Sequence, residues 1–357
     1  MRRFLIAAAL LAWFVPAFGQ APGRNRVVAI GDIHGAYDEF TLLLKHAGLV
    51  NEKLSWSGGR ATLVQTGDYT DRGSGVRQVM DLLIRLEREA KRAGGQVVTL
   101  LGNHEVMNLI GDWRDVTPEI CATFTKAGTD DGCVAYRQAM SPSGSYGRWL
   151  REKQIAAKVD DTLFMHAGIN PAQPVPRSID DVNRQARAEI RQLDSFRQRL
   201  VRSKLADASV TLQQLLDVSA SELRSASEAI AANKADGTPL PELDVPLLRD
   251  AQAILDIGTW SLVNPEGPLW FRGYALWDEA QAAPQVFALL DSLKVTRIVV
   301  GHSVTPDRKI ARRFDGRVYV IDTGMLASTY KGAPAALEIM GASVKPIYAT
   351  GEVGAPR

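Results

Sequence analysis

Five short apolar runs in this chain each stop at the same kind of corner. Val27 to Ile30 runs into Gly31-Asp32, Ala61 to Gln65 into Gly67-Asp68, and Gln96 to Leu101 into Gly102-Asn103. Further on, Thr162 to Met165 ends in His166, and Arg297 to Val300 ends in Gly301-His302. Short, continuous apolar runs read as buried strands. Helical spacing fills the gaps between the first three: Phe40, Leu43, Leu44 and Ala47, then a charged-and-apolar helix over Val76 to Ala93. Strand, corner and helix in alternation predict an α/β sheet that presents polar side chains at the carboxyl ends of its strands. Val318 to Ile321 and Ala336 to Met340 read as closing strands.

The span between His166 and Trp270 has another character. Pro171, Pro174 and Pro176 mark its entry, and Ser178 with Asp181 resembles a capping box. Ile179, Val182, Ala186, Ile190, Leu193, Leu200 and Val201 follow at helical spacing, and Leu212 to Leu216, Leu223 to Ile230 and Leu247 to Ile257 read as further helices. Residues 172–265 are therefore expected to form a helical insertion or cap. Its arginines (Arg184, Arg187, Arg191, Arg197, Arg199, Arg202) are expected on a solvated face, the alternative being contact with anionic substrates.

Residues 1–19 read as a secretory signal peptide. Arg2 and Arg3 precede an apolar stretch from Phe4 to Val15, and small-x-small cleavage sites follow. The stretch is short for a membrane anchor, which needs about 20 residues. A secreted, periplasmic location and no stable membrane insertion after cleavage are the expectations. Without the leader, Lys+Arg falls from 42 to 40, level with 40 Asp+Glu, so no charge argument for binding nucleic acid survives. Cys121 and Cys133 would pair in an oxidising compartment; a redox or metal pair is the other option. Nothing here specifies an oligomeric state.

Of the five histidines, only His46 falls on a predicted helix away from a corner; His34, His104, His166 and His302 all sit at or just past strand ends. Gly31-Asp32-Ile33-His34-Gly35 offers a carboxylate and an imidazole two residues apart. Gly67-Asp68-Tyr69-Thr70-Asp71-Arg72-Gly73 adds two carboxylates and a guanidinium, and Gly102-Asn103-His104-Glu105 an amide oxygen beside an imidazole. Mixed Asp, His and Asn ligands suit manganese, iron or zinc rather than calcium or magnesium. Two such ions, roughly 3.5–4 Å apart, would hold an attacking hydroxide and stabilise an in-line displacement at phosphorus. An arginine such as Arg72 supplies the fork geometry that phosphate prefers.

These three motifs, in this order, resemble the signature of the calcineurin-like metallophosphoesterases. The Asp71-Arg72-Gly73 ending looks like the phosphoprotein-phosphatase branch. The leader, the insertion, Trp270-Phe271-Arg272-Gly273 and Asp322-Thr323-Gly324 together resemble bacterial Shewanella-like phosphatases. The resemblance implies a β-sandwich flanked by helices, built from residues 26–171 and 266–347, with two bound divalent ions. Asp32 and His34 would bind the first, Asp68 would bridge, and Asn103, His166 and His302 would complete the second. It implies a phosphomonoesterase in which metal-bound hydroxide attacks and His104, oriented by Asp71, is the general acid. Arg72 and Asn103 would contact the phosphate, with Arg272 as candidate second arginine. The substrate would be a phosphoprotein, at Tyr or Ser/Thr, or a small phosphoester. The alternatives are a dinucleoside polyphosphate or nucleotide hydrolase and, from another class, a non-catalytic metal-binding module. Tyr69 would either line the substrate face or pack, and Asp322 would either face the site or tie down its turn.

Overall fold

The structure is a computed structural model, described here over residues 26–125, 131–207 and 210–349. The expected leader, residues 1–19, lies outside the described residues. Among these residues no helix is long and apolar enough to cross a membrane.

Two five-stranded mixed sheets face each other. The chain enters through β1 (Val27–Ile30), α1 (Tyr37–His46), β2 (Thr62–Gln65), α2 (Val76–Arg92) and β3 (Gln96–Thr99). Four short helices follow: α3 (Asn103–Ile110), α4 (Pro118–Ala122), α5 (Gly132–Met140) and α6 (Ser145–Arg151). The second sheet begins with β4 (Ala156–Val159) and β5 (Thr162–Met165). Before it resumes come α7 (Ile179–Arg202), α8 (Leu212–Asp236), α9 (Val245–Leu255), α10 (Gly273–Leu276) and α11 (Glu279–Ser292). It resumes with β6 (Arg297–Val300), β7 (Ala311–Arg313) and β8 (Val318–Val320). After α12 (Ala327–Tyr330), β9 (Ala335–Met340) and β10 (Ser343–Tyr348) return to the first sheet. The strand orders are β10-β9-β1-β2-β3 and β4-β5-β6-β8-β7.

The period-two alternation of a strand decides how the layers form. Val27 and Ala29 of β1 and Val64 of β2 point inward and pack with Phe164, Val299 and Tyr319 of the opposite sheet. Their neighbours Val28, Ile30 and Leu63 point outward into a core shared with Phe40 and Leu44 of α1 and Val79, Met80 and Leu83 of α2. Both faces are therefore covered, which is why these strands read as unbroken apolar runs. β1, β2 and β3 are mutually parallel, as are β5, β6 and β8. All six polar corners, including the one after β8 that carries Asp322, therefore follow strands of these two parallel sets.

Three expectations need correction. The two helices expected at 212–216 and 223–230 are one, α8. In its middle the Ser219 hydroxyl turns back onto the Leu215 carbonyl, 2.7 Å away, so the buried hydroxyl is satisfied without leaving the helix. Ser178 does cap α7 by accepting from the Asp181 amide at 3.1 Å, but Asp181 receives the Ser178 hydroxyl rather than closing a full box. Arg197 is not on a solvated face: it is buried and donates to the Leu109 carbonyl at the end of α3. Arg199 lies beside Asp250 at 3.6 Å and Arg184 pairs with Asp181. Cys121 and Cys133 form a disulfide between α4 and α5.

Candidate metal and catalytic centre

The corners after the parallel strands bring Asp32, His34, Asp68, Asn103, His166 and His302 together, all buried. Their backbones are unusual. His34, Asp68, Asp71, Arg72 and His302 all have φ between 48° and 69°. Non-glycine residues rarely adopt this left-handed region, and such strain concentrates at functional sites. Close approach explains the corner glycines: a Cβ on Gly102 would lie 2.2 Å from Asp68 Oδ1, and one on Gly301 2.4 Å from Asp32 Oδ1.

Glu105, which sequence reasoning did not single out as a site residue, holds the Asp68 corner. Its buried carboxylate accepts from the amides of Gly102, Asp68, Tyr69 and Thr70 and from the Thr70 hydroxyl, at 2.7–2.9 Å. Tyr69 packs rather than lining the substrate face: it is fully buried, with its ring centroid 5.6 Å from that of Trp149.

Three imidazoles are oriented by backbone carbonyls. His34 Nδ1 lies 3.0 Å from Thr70 O, His166 Nδ1 3.1 Å from Thr66 O, and His302 Nε2 3.1 Å from Trp270 O. A carbonyl only accepts, so each of these nitrogens carries the hydrogen, and in the neutral ring the opposite nitrogen turns a lone pair inward. His166 Nε2 then faces Asn103 Oδ1 at 2.8 Å, His302 Nδ1 at 3.1 Å and Asp68 Oδ2 at 3.3 Å. With the His166 ring in its neutral form, four acceptors converge with no hydrogen between them, an arrangement that a cation resolves. A second group gathers on the same Asp68 oxygen: Oδ2 is 3.6 Å from His34 Nε2 and 3.9 Å from His104 Nε2. Asp32 Oδ2 is 4.0 Å from His34 Nε2, and Asp32 Oδ1 accepts from the His302 amide, tying the two sheets' corners together. The two groups share Asp68.

Electrostatics separates the histidines. Desolvation pushes His34 down to about 3, and desolvation reinforced by His166 and Arg272 pushes His302 down to about 2, so both are neutral lone-pair donors. Burial acts on His104 as well, but Asp68 and Asp71 more than offset it and raise its pKa. Burial would raise Asp68; the surrounding His166, His104 and His34 hold it well below the usual range. Desolvation, with Asp322 and Asp68 nearby, raises Asp32, and desolvation lifts Asp322 to about 6. The two alternatives for Asp322 coexist: it faces Asp32, and its Oδ1 accepts from the Gly324 amide in its own turn.

His104 Nδ1 donates to Asp71 Oδ2 at 2.8 Å. Arg72 stands at the mouth, with Nη1 3.1 Å from His34 Nε2, its guanidinium 5.4 Å from the centre of the Tyr330 ring, and Nη2 4.0 Å from Asp115. Arg272 lies at the His302 corner, donating to the His302 carbonyl at 3.0 Å and to Ser303 Oγ at 3.2 Å. Tyr330 and Asp115 were not legible as site residues. Nothing in the residues around them is motif-like, and the fold alone brings them to the mouth.

A fold of facing mixed sheets with an Asp-, Asn- and His-lined centre at the carboxyl ends of the parallel strands defines a metal-dependent phosphoesterase. The chain belongs to the calcineurin-like phosphoesterase family, whose model matches residues 25–306. An uncharacterised protein of Schizosaccharomyces pombe is 32% identical over 319 residues, covering 88% of this chain and 76% of that one. Shewanella-like protein phosphatase 1 of Plasmodium berghei is 26% identical over 314 residues, covering 87% and 70%. Among solved structures, a point mutant of a cold-active protein tyrosine phosphatase superposes with a TM-score of 0.65 at 25% identity, covering 94% of this chain and 81% of that one.

Proposed function

We propose that this protein hydrolyses phosphate monoesters, phosphoproteins first among them, at a centre of two divalent ions. The observation that carries the reading is the cluster of inward-facing acceptors on Asp68, Asn103, His166 and His302 beside the Asp71–His104 pair. Asp32, His34 and Asp68 would hold one ion; Asp68, Asn103, His166 and His302 would hold the other. Manganese, iron and zinc all suit these donors. Bound there, the ions supply Lewis acidity and lower the pKa of water. His104 sits in the other cluster too, yet its raised pKa and its bond to Asp71 suit a proton donor to the leaving oxygen, while His34 and His302 are held neutral. Arg72 beside His34 and Arg272 beside His302 would clamp the phosphate oxygens together with the Asn103 amide. The aromatic ring of Tyr330 beside Arg72 favours an aryl phosphate such as phosphotyrosine, in keeping with the name of the cold-active relative. Substrate choice beyond this belongs in our reading to residues 172–265. Export of the chain to the periplasm fits the Cys121–Cys133 disulfide.

The test is a comparison of manganese-loaded protein on p-nitrophenyl phosphate, phosphotyrosyl and phosphoseryl peptides, and a dinucleoside tetraphosphate. Turnover of the monoesters is expected, with the phosphotyrosyl peptide ahead. Turnover of the tetraphosphate alone would replace this reading with the polyphosphatase one. Inertness towards all four, with metal bound, would leave only a binding module.

A further inference from the structure

Resting on the monoesterase reading, we infer that Asn108 and Tyr136 are positioning residues that fix the Asp71–His104 pair in its proton-donating arrangement. Asp71 Oδ2 is engaged by His104, and its other oxygen, Oδ1, accepts from Asn108 Nδ2 at 2.8 Å. The second hydrogen of that amide goes to the His104 carbonyl, one turn earlier on α3, also at 2.8 Å. The amide oxygen accepts from the Tyr136 hydroxyl at 2.6 Å. Tyr136, Asn108, Asp71 and His104 are each no more than 3% exposed, so no solvent competes for these bonds.

The chain of bonds has only one workable direction. With the Asn108 amide reversed, its oxygen would face the Asp71 carboxylate and the His104 carbonyl, both acceptors, and three like dipoles would oppose one another. Those two acceptors select the productive orientation, and the Tyr136 hydroxyl, by donating to the amide oxygen, holds the amide in it. Both Asp71 oxygens then accept, which keeps the group a carboxylate facing the His104 ring. Tyr136 is itself held by edge contacts with Phe124 and Trp113, ring centroids 4.9 and 5.9 Å away. The result is a buried hydrogen-bonded line from α5 through α3 to the ring that would hand over the proton. An unmet partner in such a line costs more than an apolar replacement of the whole.

A general acid matters in proportion to how badly the leaving oxygen needs a proton. p-Nitrophenolate departs readily without one; phenolate does not. A merely structural role would slow both esters alike. The experiment measures kcat and KM of manganese-loaded wild type, Asn108→Ala and Tyr136→Phe on p-nitrophenyl phosphate and phenyl phosphate. The expected loss in kcat is about tenfold greater on phenyl phosphate, a part of the roughly 10²–10⁴ that acid catalysis supplies. KM should stay within about twofold, and Asn108→Ala with Tyr136→Phe should be no worse than Asn108→Ala alone, because the two act in series. If Asn108→Ala does not fold, Tyr136→Phe, which keeps the ring and removes one oxygen, carries the same comparison. Equal losses on the two esters, or none on either, would overturn the inference. Wild type inert on both esters would overturn the monoesterase reading instead.

Discussion

Glu105 shows what one residue does at this site. Five donors converge on a carboxylate that no solvent reaches, and most of them come from the corner residues Asp68 to Thr70. The corner's left-handed Asp68 is unfavourable by itself, so the carboxylate is what holds it there. Glu105→Ala leaves those amides buried without partners, and we expect a stability loss of about 3 kcal/mol or more, read by urea unfolding. Manganese affinity, read by titration calorimetry, should fall with it; an unchanged affinity would show that the corner holds its shape without Glu105. The six metal-ligand candidates were legible because Asp, Asn and His, most of them beside glycine, recur at one strand end after another. Glu105 stood in plain view after His104, but its partners lie 35 to 37 positions away, except for Gly102, and spacing cannot show that. The positive φ of His34, Asp68, Asp71, Arg72 and His302 was equally hidden, since only glycine advertises such a conformation in sequence.

At the scale of elements, what was legible follows burial. The central strands β1, β2, β5, β6 and β8 are covered on both faces and announced themselves as apolar runs. β4, β7 and β10 were missed, and all three are sheet edges. Their sequences, Ala-Ala-Lys-Val, Ala-Arg-Arg and Ser-Val-Lys-Pro-Ile-Tyr, carry the charges and the proline that protect an edge from further pairing. The same devices erase the apolar signal. α4 and α5 are likewise too short to show a period, and the disulfide supplies part of what their packing lacks. Cys121 and Cys133 are 12 positions apart. A loop of that size gives about 3 kcal/mol through the unfolded chain. Replacing both cysteines with serine should lower stability by about that amount in chemical denaturation while the folded fraction keeps its kcat. A kcat that falls along with stability would mean that the α4–α5 unit must be covalently held to place Tyr136.

The whole molecule makes the site a joint between two sheets. Asp32, Asp68 and Asn103 come from corners of the first sheet, His166 and His302 from corners of the second, and the Asp32 carboxylate already bonds the His302 amide across the joint. Ions held by both sets should therefore stabilise the fold as a whole. One ion at a hundred times its dissociation constant adds about 2.7 kcal/mol, which for a chain of this size should raise the melting temperature by about 4 °C. His302→Gln should lose a large part of that rise; a full rise in the variant would remove His302 from the ligand set. The metal-stripped protein allows a separate check. His302 is held at about 2 when folded and returns to the ordinary 6.5 when unfolded, so between these values the unfolded chain takes up a proton that the folded chain refuses. Stability attributable to this residue is therefore intact above pH 6.5 and is lost as pH falls below it, at up to about 1.4 kcal/mol per pH unit. Neighbouring carboxyls whose pKa is raised, such as Asp32, act in the opposite direction, so the total slope says little. The difference between wild type and His302→Gln isolates one group: between pH 6 and 4 the variant's stability should fall less steeply by about that amount. Parallel slopes would mean that His302 is not held as a neutral, inward-facing lone pair, and the acceptor cluster on which the metal centre rests would lose one of its four members.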